Sequence, residues 1–128
     1  MNQSVYEKMG GAEPLKQLVE TFYDIVEEDP EGVIVHALHL KGNGMNHTRR
    51  AQFEFLSGFF GGPKLYIERN GHSDMRYIHN HVEVGHVEVE AWLLCMDKAI
   101  DQVGFDEDLK QQLMRSFTRA AEITRNQD

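Results

Sequence analysis

The sequence predicts an all-α fold. Three long segments carry apolar residues at steps of three and four, the spacing that places them on one face of a helix. The first segment runs from Glu13 to Asp29, and the other two lie in the C-terminal third of the chain. No segment predicts a strand with comparable strength. The length of 128 residues is sufficient for one hydrophobic core, so we expect a single domain spanning residues 1–128.

The composition is that of a soluble globular protein, with 41% hydrophobic and 27% charged residues. No run approaches the roughly 18 apolar residues that a membrane span requires. The N-terminus has neither the basic start nor the apolar core of a signal peptide. Cys95 is the one cysteine, which excludes an internal disulfide framework. We therefore expect a cytoplasmic protein that does not enter a membrane.

The charge of the chain argues against polyanionic partners. The formal net charge is -8 and the pI is near 5.3, so nucleic acid and anionic membrane surfaces would be repelled. The basic residues form no stripe, and Arg49-Arg50 is their one cluster. A small neutral ligand or a cofactor remains as the expected partner.

The N-terminal part predicts a short helix and a long one. Residues 4–9 could form one or two turns that Gly10-Gly11 would stop. The long helix begins near Glu13, with Pro14 in its first turn, and Asp29-Pro30 should end it. Its apolar face consists of Leu15, Leu18, Val19, Phe22, Tyr23 and Val26.

The middle of the chain is less regular. Residues 32–40 fit either a short buried strand or one or two helical turns, and 41–47 have a loop composition. Thr48 is the predicted cap of a helix that Gly61-Gly62-Pro63 ends. A long connection should then lead to Ser73, the predicted cap of a short helix through about His79. One face of the 48–60 helix carries Ala51, Gln52, Phe55, Leu56 and Phe59.

The C-terminal part predicts a loop over residues 82–86 and then two helices. The first has one apolar stripe and ends at Gly104. The second begins with the acidic residues 106–108 and ends near Arg125, as the helix dipole favours. The two stripes consist of Trp92, Cys95, Met96, Ala99, Ile100 and Val103, and of Leu109, Leu113, Phe117, Ala120 and Ala121.

Seven histidines raise the possibility of a metal centre. A zinc site is disfavoured because the chain has no cysteine pair and no HExxH motif. His79 and His81 are two residues apart, so on a helix they would point in different directions. Cys95 lies on an apolar face, where a cysteine is normally an inert small hydrophobe.

Haem makes a different demand, namely one imidazole, an apolar slot and a few polar groups above the iron. Tyr23 and Gln52 are polar residues within otherwise apolar stripes. A buried phenol or amide without a partner costs about 1–3 kcal/mol. They could bond to each other or to a backbone carbonyl, or they could face a bound diatomic ligand. Spacing alone leaves both interpretations open.

Ordered motifs now add a resemblance that covers nearly the whole chain. Four motifs occur in order along the chain. They are the segment YEKMGG, the pair Phe22-Tyr23, the pattern FLxxxxGGPxxYxExxGHxxxR from residue 55 to 76 and the WLxCM signature from residue 92 to 96. Together they resemble the truncated, two-over-two haemoglobins, specifically group II of that family. The resemblance implies a two-over-two helical sandwich around haem b, with iron as the metal.

The resemblance also implies roles for individual residues. His79, three residues past Arg76, would be the proximal iron ligand. Tyr23 and Trp92 would direct hydrogen-bond donors at a distal ligand, and Thr48 and Gln52 would line the same pocket. The other residues that would contact the cofactor are Phe22, His36, Phe55, Leu56, Tyr66, Arg76 and Met96. His39 is an alternative to His36.

The chain departs from the family pattern beside the proximal histidine. Ile78 stands where relatives usually carry an arginine, so a partner for a haem propionate is missing. Arg76 and Tyr66 are the remaining candidates, with Lys64 or Arg69 in support.

Several donors around one diatomic ligand predict tight retention of O₂. We therefore expect binding of O₂, NO and CO and redox chemistry such as NO detoxification or peroxide reduction, with an unidentified reductase, rather than simple oxygen transport. One alternative is reversible O₂ storage or sensing without turnover. A second is a haem whose distal position is occupied by His36 or His39, and a third is a haem-free helical interaction domain.

Overall fold

The computed structural model describes the backbone of residues 3–40, 45–72 and 84–126. These ranges form α-helices and one short 3-10 turn, Pro30–Gly32, and contain no strand. The all-α prediction is confirmed. In chain order the helices are α1 (Val5–Met9), α2 (Ala12–Glu28), α3 (Val33–Leu40), α4 (Met45–Phe59), α5 (Leu65–Asn70), α6 (His86–Val103) and α7 (Glu107–Thr124).

The first two helices begin and end at the residues that the sequence indicates. Ser4 caps α1 through a capping box with Glu7, and Gly10 ends it in the left-handed conformation. The helix α2 contains Pro14 in its first turn and ends at Asp29. Its buried face consists of Leu15, Leu18, Val19, Phe22, Tyr23, Ile25 and Val26.

The ambiguous middle segment is helical. Val33–Leu40 forms α3, so the helical alternative is the correct one there. The helix α4 already begins at Met45, so the predicted loop at 45–47 and the predicted cap at Thr48 are wrong. Met, Asn and His differ by only tenths of a kcal/mol in helix propensity, which packing of α4 on α2 readily outweighs.

The glycine pair after α4 makes room for the start of the chain. The Tyr6 amide donates to the Phe60 carbonyl at 2.9 Å. A Cβ on Gly62 would lie 2.6 Å from the Tyr6 ring, and one on Gly61 would lie 2.8 Å from the Ser4 Cβ. Gly61 also has a φ of 93°, which side-chain-bearing residues rarely adopt. These glycines therefore let the N-terminal segment close over the end of α4.

The connection after the glycine pair is not the continuous loop that we expected. It contains α5, which ends at Gly71 in the left-handed conformation. The Arg69 guanidinium donates to both carboxylate oxygens of Glu54, at 2.8 and 2.9 Å. This two-bond ion pair holds α5 against α4, and it is an interaction that local periodicity does not reveal.

The last two helices match the prediction. Gly104 ends α6 in the left-handed conformation, and the Asp106 carboxylate caps α7 by accepting from the Leu109 amide at 2.8 Å. The predicted loop at 82–86 extends one residue too far, because His86 already belongs to α6. The start of α6 is fixed by a 2.7 Å hydrogen bond that the Gly85 amide donates to the Glu88 carboxylate.

Two helix pairs make up the fold. The helix α2 packs against both α4 and α6, and α7 packs against α6. The core lies where α2, α4, α6 and α7 meet, so the pairs α2–α4 and α6–α7 stack on each other. Among the described residues, no helix combines the length and apolar character needed to cross a membrane.

Candidate haem site

Tyr23 lies at the centre of the candidate site. Its side chain is completely buried, and its ring meets the Phe22 ring edge-on with centroids 4.7 Å apart. The hydroxyl donates to Gln52 Oε1 on α4 at 3.4 Å, longer than the usual hydroxyl hydrogen bond. Burial raises the pKa of the Tyr23 phenol far above its ordinary value, against a smaller opposing effect of the Arg49 charge. The phenol is therefore neutral and a hydrogen-bond donor at physiological pH.

The helix α4 supplies the facing wall. Thr48, Gln52 and Phe55 are spaced by four and three residues on it, so they share one face. All three are half-buried, and neighbouring Leu56 is buried in the core. The predicted juxtaposition of Tyr23 with Gln52 is thus present, and the alternative that the two bond to each other is realised.

Trp92 joins this group from α6. Its ring lies 5.1 Å from the Phe22 ring and 5.4 Å from the Phe117 ring. Phe22 therefore contacts both Tyr23 and Trp92, which places the two predicted donors next to the same phenyl ring. Met96, one turn further along α6, is completely buried.

A second aromatic group extends along α4 and α5. The Phe55 ring lies 5.8 Å from the Tyr66 ring, and the Tyr66 ring lies 6.4 Å from the His72 ring. Burial, followed by the nearby Glu54 charge, raises the pKa of Tyr66. Arg69, considered as a propionate partner, instead binds Glu54.

The proximal candidates are not part of the described structure. His79, Arg76 and the short helix predicted from Ser73 lie outside the described residues, as do Ile78 and His81. His36 lies on α3 and is half-buried. His39 follows on the same helix, and its side chain is outside the described part.

Arg49 is a residue of this group for which the sequence predicted no role in the site. Its guanidinium reaches Glu20, Asp24 and Glu27 on α2 at 3.3, 3.1 and 2.8 Å. The same group lies 5.8 Å from the centroid of the Tyr23 ring. The acidic residues occur at steps of four and three along α2, a signal that could have indicated a cation on the facing helix.

The chemistry of these residues fits a haem with a polar distal pocket. Tyr23 offers a neutral hydroxyl, Gln52 an amide and Trp92 an indole N–H, and they are set among the apolar side chains of Phe22, Phe55 and Leu56. A few polar groups in an apolar surround are what the distal side of a haem requires.

Other regions offer no competing centre within the described residues. These contain no group of three or more His, Cys, Asp or Glu side chains that could hold a metal ion. A surface depression of about 1100 Å³ lies along α7. It is lined by Gln111, Met114, Arg115, Thr118, Arg119, Glu122 and Ile123, none of which was predicted as a site residue.

Comparison with known proteins agrees with this geometry. The family model of bacterial-like globins matches residues 4–126. The chain is 34% identical over 122 residues to the group 2 truncated haemoglobin YjbI of Bacillus subtilis, covering 95% of this chain and 88% of that protein. The chain belongs to the group II truncated haemoglobins.

Solved structures support the same assignment. The cold-adapted truncated haemoglobin of Pseudoalteromonas haloplanktis TAC125 superposes with a TM-score of 0.91 at 29% identity, covering 98% of this chain and 100% of that one. A truncated oxygen-avid haemoglobin from Bacillus subtilis has a TM-score of 0.84 at 33% identity, covering 97% and 100%. The two-over-two globin fold of this truncated haemoglobin is thereby confirmed.

Membership of the family fixes the general activity. Globins are haem proteins that bind diatomic gases such as O₂, so haem is the implied cofactor of this truncated haemoglobin. The zinc and haem-free interpretations of the sequence are correspondingly disfavoured.

Proposed function

We propose that this truncated haemoglobin retains O₂ tightly and uses it in redox chemistry, with removal of NO as the leading candidate and peroxide reduction as the second. The observation that carries the proposal is the buried Tyr23 hydroxyl, 3.4 Å from Gln52 and in the same aromatic group as Trp92. The relative of known structure from Bacillus subtilis is described as oxygen-avid, in line with a donor-rich distal side.

His79 is the proposed proximal ligand of the iron. It follows Arg76 by three residues in the motif that this chain shares with the family. The cofactor is proposed to be haem b, since one cysteine cannot form the CxxCH attachment of c-type haem. Arg76 and Tyr66 are the proposed partners of the propionates. Bound haem supplies reversible ligand binding and electron exchange.

The distal residues decide how long the diatomic ligand stays. The Tyr23 hydroxyl, the Trp92 indole N–H and the Gln52 amide donate hydrogen bonds toward the negative charge that develops on O₂. Within a buried pocket such donors are worth more than in water. Phe22, Phe55, Leu56 and Met96 keep water away from the ligand, and Thr48 and His36 line the edge of the pocket.

A protein that retains O₂ tightly is better suited to consume it in a reaction than to deliver it. Removal of NO combines one NO, one O₂ and one electron to give nitrate, so a reductase partner must return the electron after each turnover. Delivery of O₂ would instead require rapid release, which several donors around one ligand oppose. Cytoplasmic residence, where a reductase and its reduced cofactor are available, is part of the proposal.

The decisive experiment follows NO in solution with an electrode. Oxygenated protein with an artificial electron donor is expected to consume NO catalytically and to form nitrate. Tyr23→Phe should lower the rate of NO consumption, because faster loss of O₂ leaves less oxygenated protein, whereas Tyr6→Phe on α1, a phenol outside the site, should not. Reversible oxygenation with no catalytic consumption of NO or peroxide would indicate storage or sensing instead.

A further inference from the structure

Arg49 is a charged residue whose side chain is largely buried where α4 contacts α2. It lies three residues before Gln52 on α4, and its side chain is only 16% exposed. Its two terminal nitrogens bind carboxylates of three residues on α2, and one of them also donates to the Glu20 backbone carbonyl at 3.3 Å. One guanidinium thus spans two turns of the facing helix.

Tyr23 lies between the carboxylates that Arg49 binds. Glu20, Tyr23, Asp24 and Glu27 follow one another at steps of three, one and three along α2, so they belong to one side of it. The Arg49 guanidinium is 5.8 Å from the Tyr23 ring centroid, within the range of a cation–π contact. The hydroxyl of the same residue donates to Gln52. Two residues of α4, one turn apart, therefore contact one tyrosine, Arg49 at its ring and Gln52 at its hydroxyl.

We propose that Arg49 is a positioning residue for the distal site, which fixes α4 against α2 so that the Tyr23 hydroxyl and the Gln52 amide face the ligand together. This inference rests on the proposed role of Tyr23 in ligand retention. Arg49 itself does not touch the ligand; it acts through the ring of Tyr23 and through the register of the two helices.

The positioning role depends on the planar shape of the guanidinium, which carries several N–H donors. Each single contact is an ion pair with a partner that is 36% to 59% exposed, and such pairs contribute little individually. Three carboxylates on one planar group define an orientation that a single ammonium cannot reproduce. Arg49→Lys should therefore keep the positive charge but only part of the positioning effect.

The test combines kinetics with a double-mutant cycle. Arg49→Met should speed O₂ release roughly 2- to 10-fold, as expected for coupled neighbouring groups, and Arg49→Lys should give an intermediate rate. In a Tyr23→Phe background, Arg49→Met should change the rate less than in the parent, because only the effect on Gln52 remains. The matched control is Lys110→Met, because Lys110 is 20% exposed and also binds two carboxylates, Asp97 and Asp101, but between α6 and α7.

A readout independent of ligand release is the ring signal of Tyr23 in ¹³C-tyrosine NMR of the CO-bound protein. The chain has only four tyrosines, and Tyr23→Phe identifies the signal. Arg49→Met should shift it, whereas Lys110→Met should leave it in place. An unshifted signal, or equal rate effects of Arg49→Met with and without the Tyr23 hydroxyl, would overturn the inference. If Tyr23→Phe does not alter O₂ release, the proposed function fails, and the NMR shift still tests Arg49 separately.

Discussion

The Tyr23 hydroxyl on α2 donates to Gln52 Oε1 on α4 across 3.4 Å. A phenol has one proton to donate, so Gln52 and a diatomic ligand compete for it. The length of the bond makes Gln52 a weak competitor. A bound ligand can therefore take the Tyr23 proton in place of Gln52 Oε1, and the amide N–H of Gln52 is a second donor in the same group.

Trp92 can be tested separately as a donor and as a packing element. Trp92→Phe removes the indole N–H and keeps an aromatic ring between Phe22 and Phe117. We expect faster O₂ release, by about 10- to 150-fold for the loss of one hydrogen bond to a charged acceptor, measured by stopped-flow ligand replacement. Trp92→Ala should in addition lower the stability by about 3–5 kcal/mol. Unchanged release in Trp92→Phe would restrict Trp92 to packing.

Gly62 should tolerate no side chain while Tyr6 is present. A Cβ there would lie 2.6 Å from the Tyr6 ring, so Gly62→Ala should destabilise the protein by about 1–3 kcal/mol through overpacking. Thermal unfolding followed by circular dichroism measures the loss. The same substitution in a Tyr6→Ala background should cost much less. An equal loss of stability with Tyr6 and with Tyr6→Ala would show that the Tyr6 ring is not what opposes a side chain at position 62.

The stability of the protein should fall in alkaline solution partly because of Tyr23. Burial raises the pKa of its phenol in the folded state, so above about pH 10 the unfolded chain loses a proton that the folded chain keeps. The contribution of the neutral Tyr23 phenol to the free energy of unfolding is therefore complete below about pH 10. It is lost as the pH rises toward the folded-state pKa. Urea unfolding midpoints of Tyr23→Phe should decline less between pH 9 and pH 11 than those of the parent.

The pKa values of Tyr66 and Lys110 are shifted in the same direction. Both residues remain in the variant, so the difference between the two pH profiles isolates Tyr23. Parallel profiles would contradict the burial of a neutral phenol at this position.

Haem attachment should depend on His79 alone among the histidines. His79→Gly is expected to purify without a stable Soret band and to regain it when free imidazole is supplied, because imidazole can replace the missing ligand. His86→Gly, which removes the exposed histidine at the start of α6, is the control and should retain haem. A low-spin ferric spectrum in the parent that becomes high-spin in His36→Leu or His39→Leu would indicate a distal histidine ligand.

Local signals in the sequence were sufficient for the long helices. The apolar spacing within α2, α6 and α7 predicts these helices, and Asp29 and Gly104 mark the ends of α2 and α6, while Asp106 marks the start of α7. The helix α5 was missed because only six residues form it, and its contacts with α4, such as the ion pair of Arg69 with Glu54, join residues that are distant in sequence. Such a contact has no local signature.

In the site too, the sequence indicated some residues and not others. Tyr23 and Gln52 were conspicuous as polar residues in apolar stripes, and the structure brings them together. Arg49 was noticed only as part of a basic pair, because its three partners lie on another helix and are distant in sequence. Polar residues that interrupt a pattern are visible in a sequence, whereas ion pairs between helices require the packing to be known.

The central claim is that Tyr23 holds the diatomic ligand, and the O₂ dissociation rate of Tyr23→Phe tests it most directly. Loss of a hydrogen bond to a charged acceptor costs about 1.5–3 kcal/mol, so release should be about 10- to 150-fold faster than in the parent, with the fold unchanged by circular dichroism. Tyr6→Phe should release O₂ at the parental rate. A Tyr23→Phe rate equal to that of the parent would contradict the account.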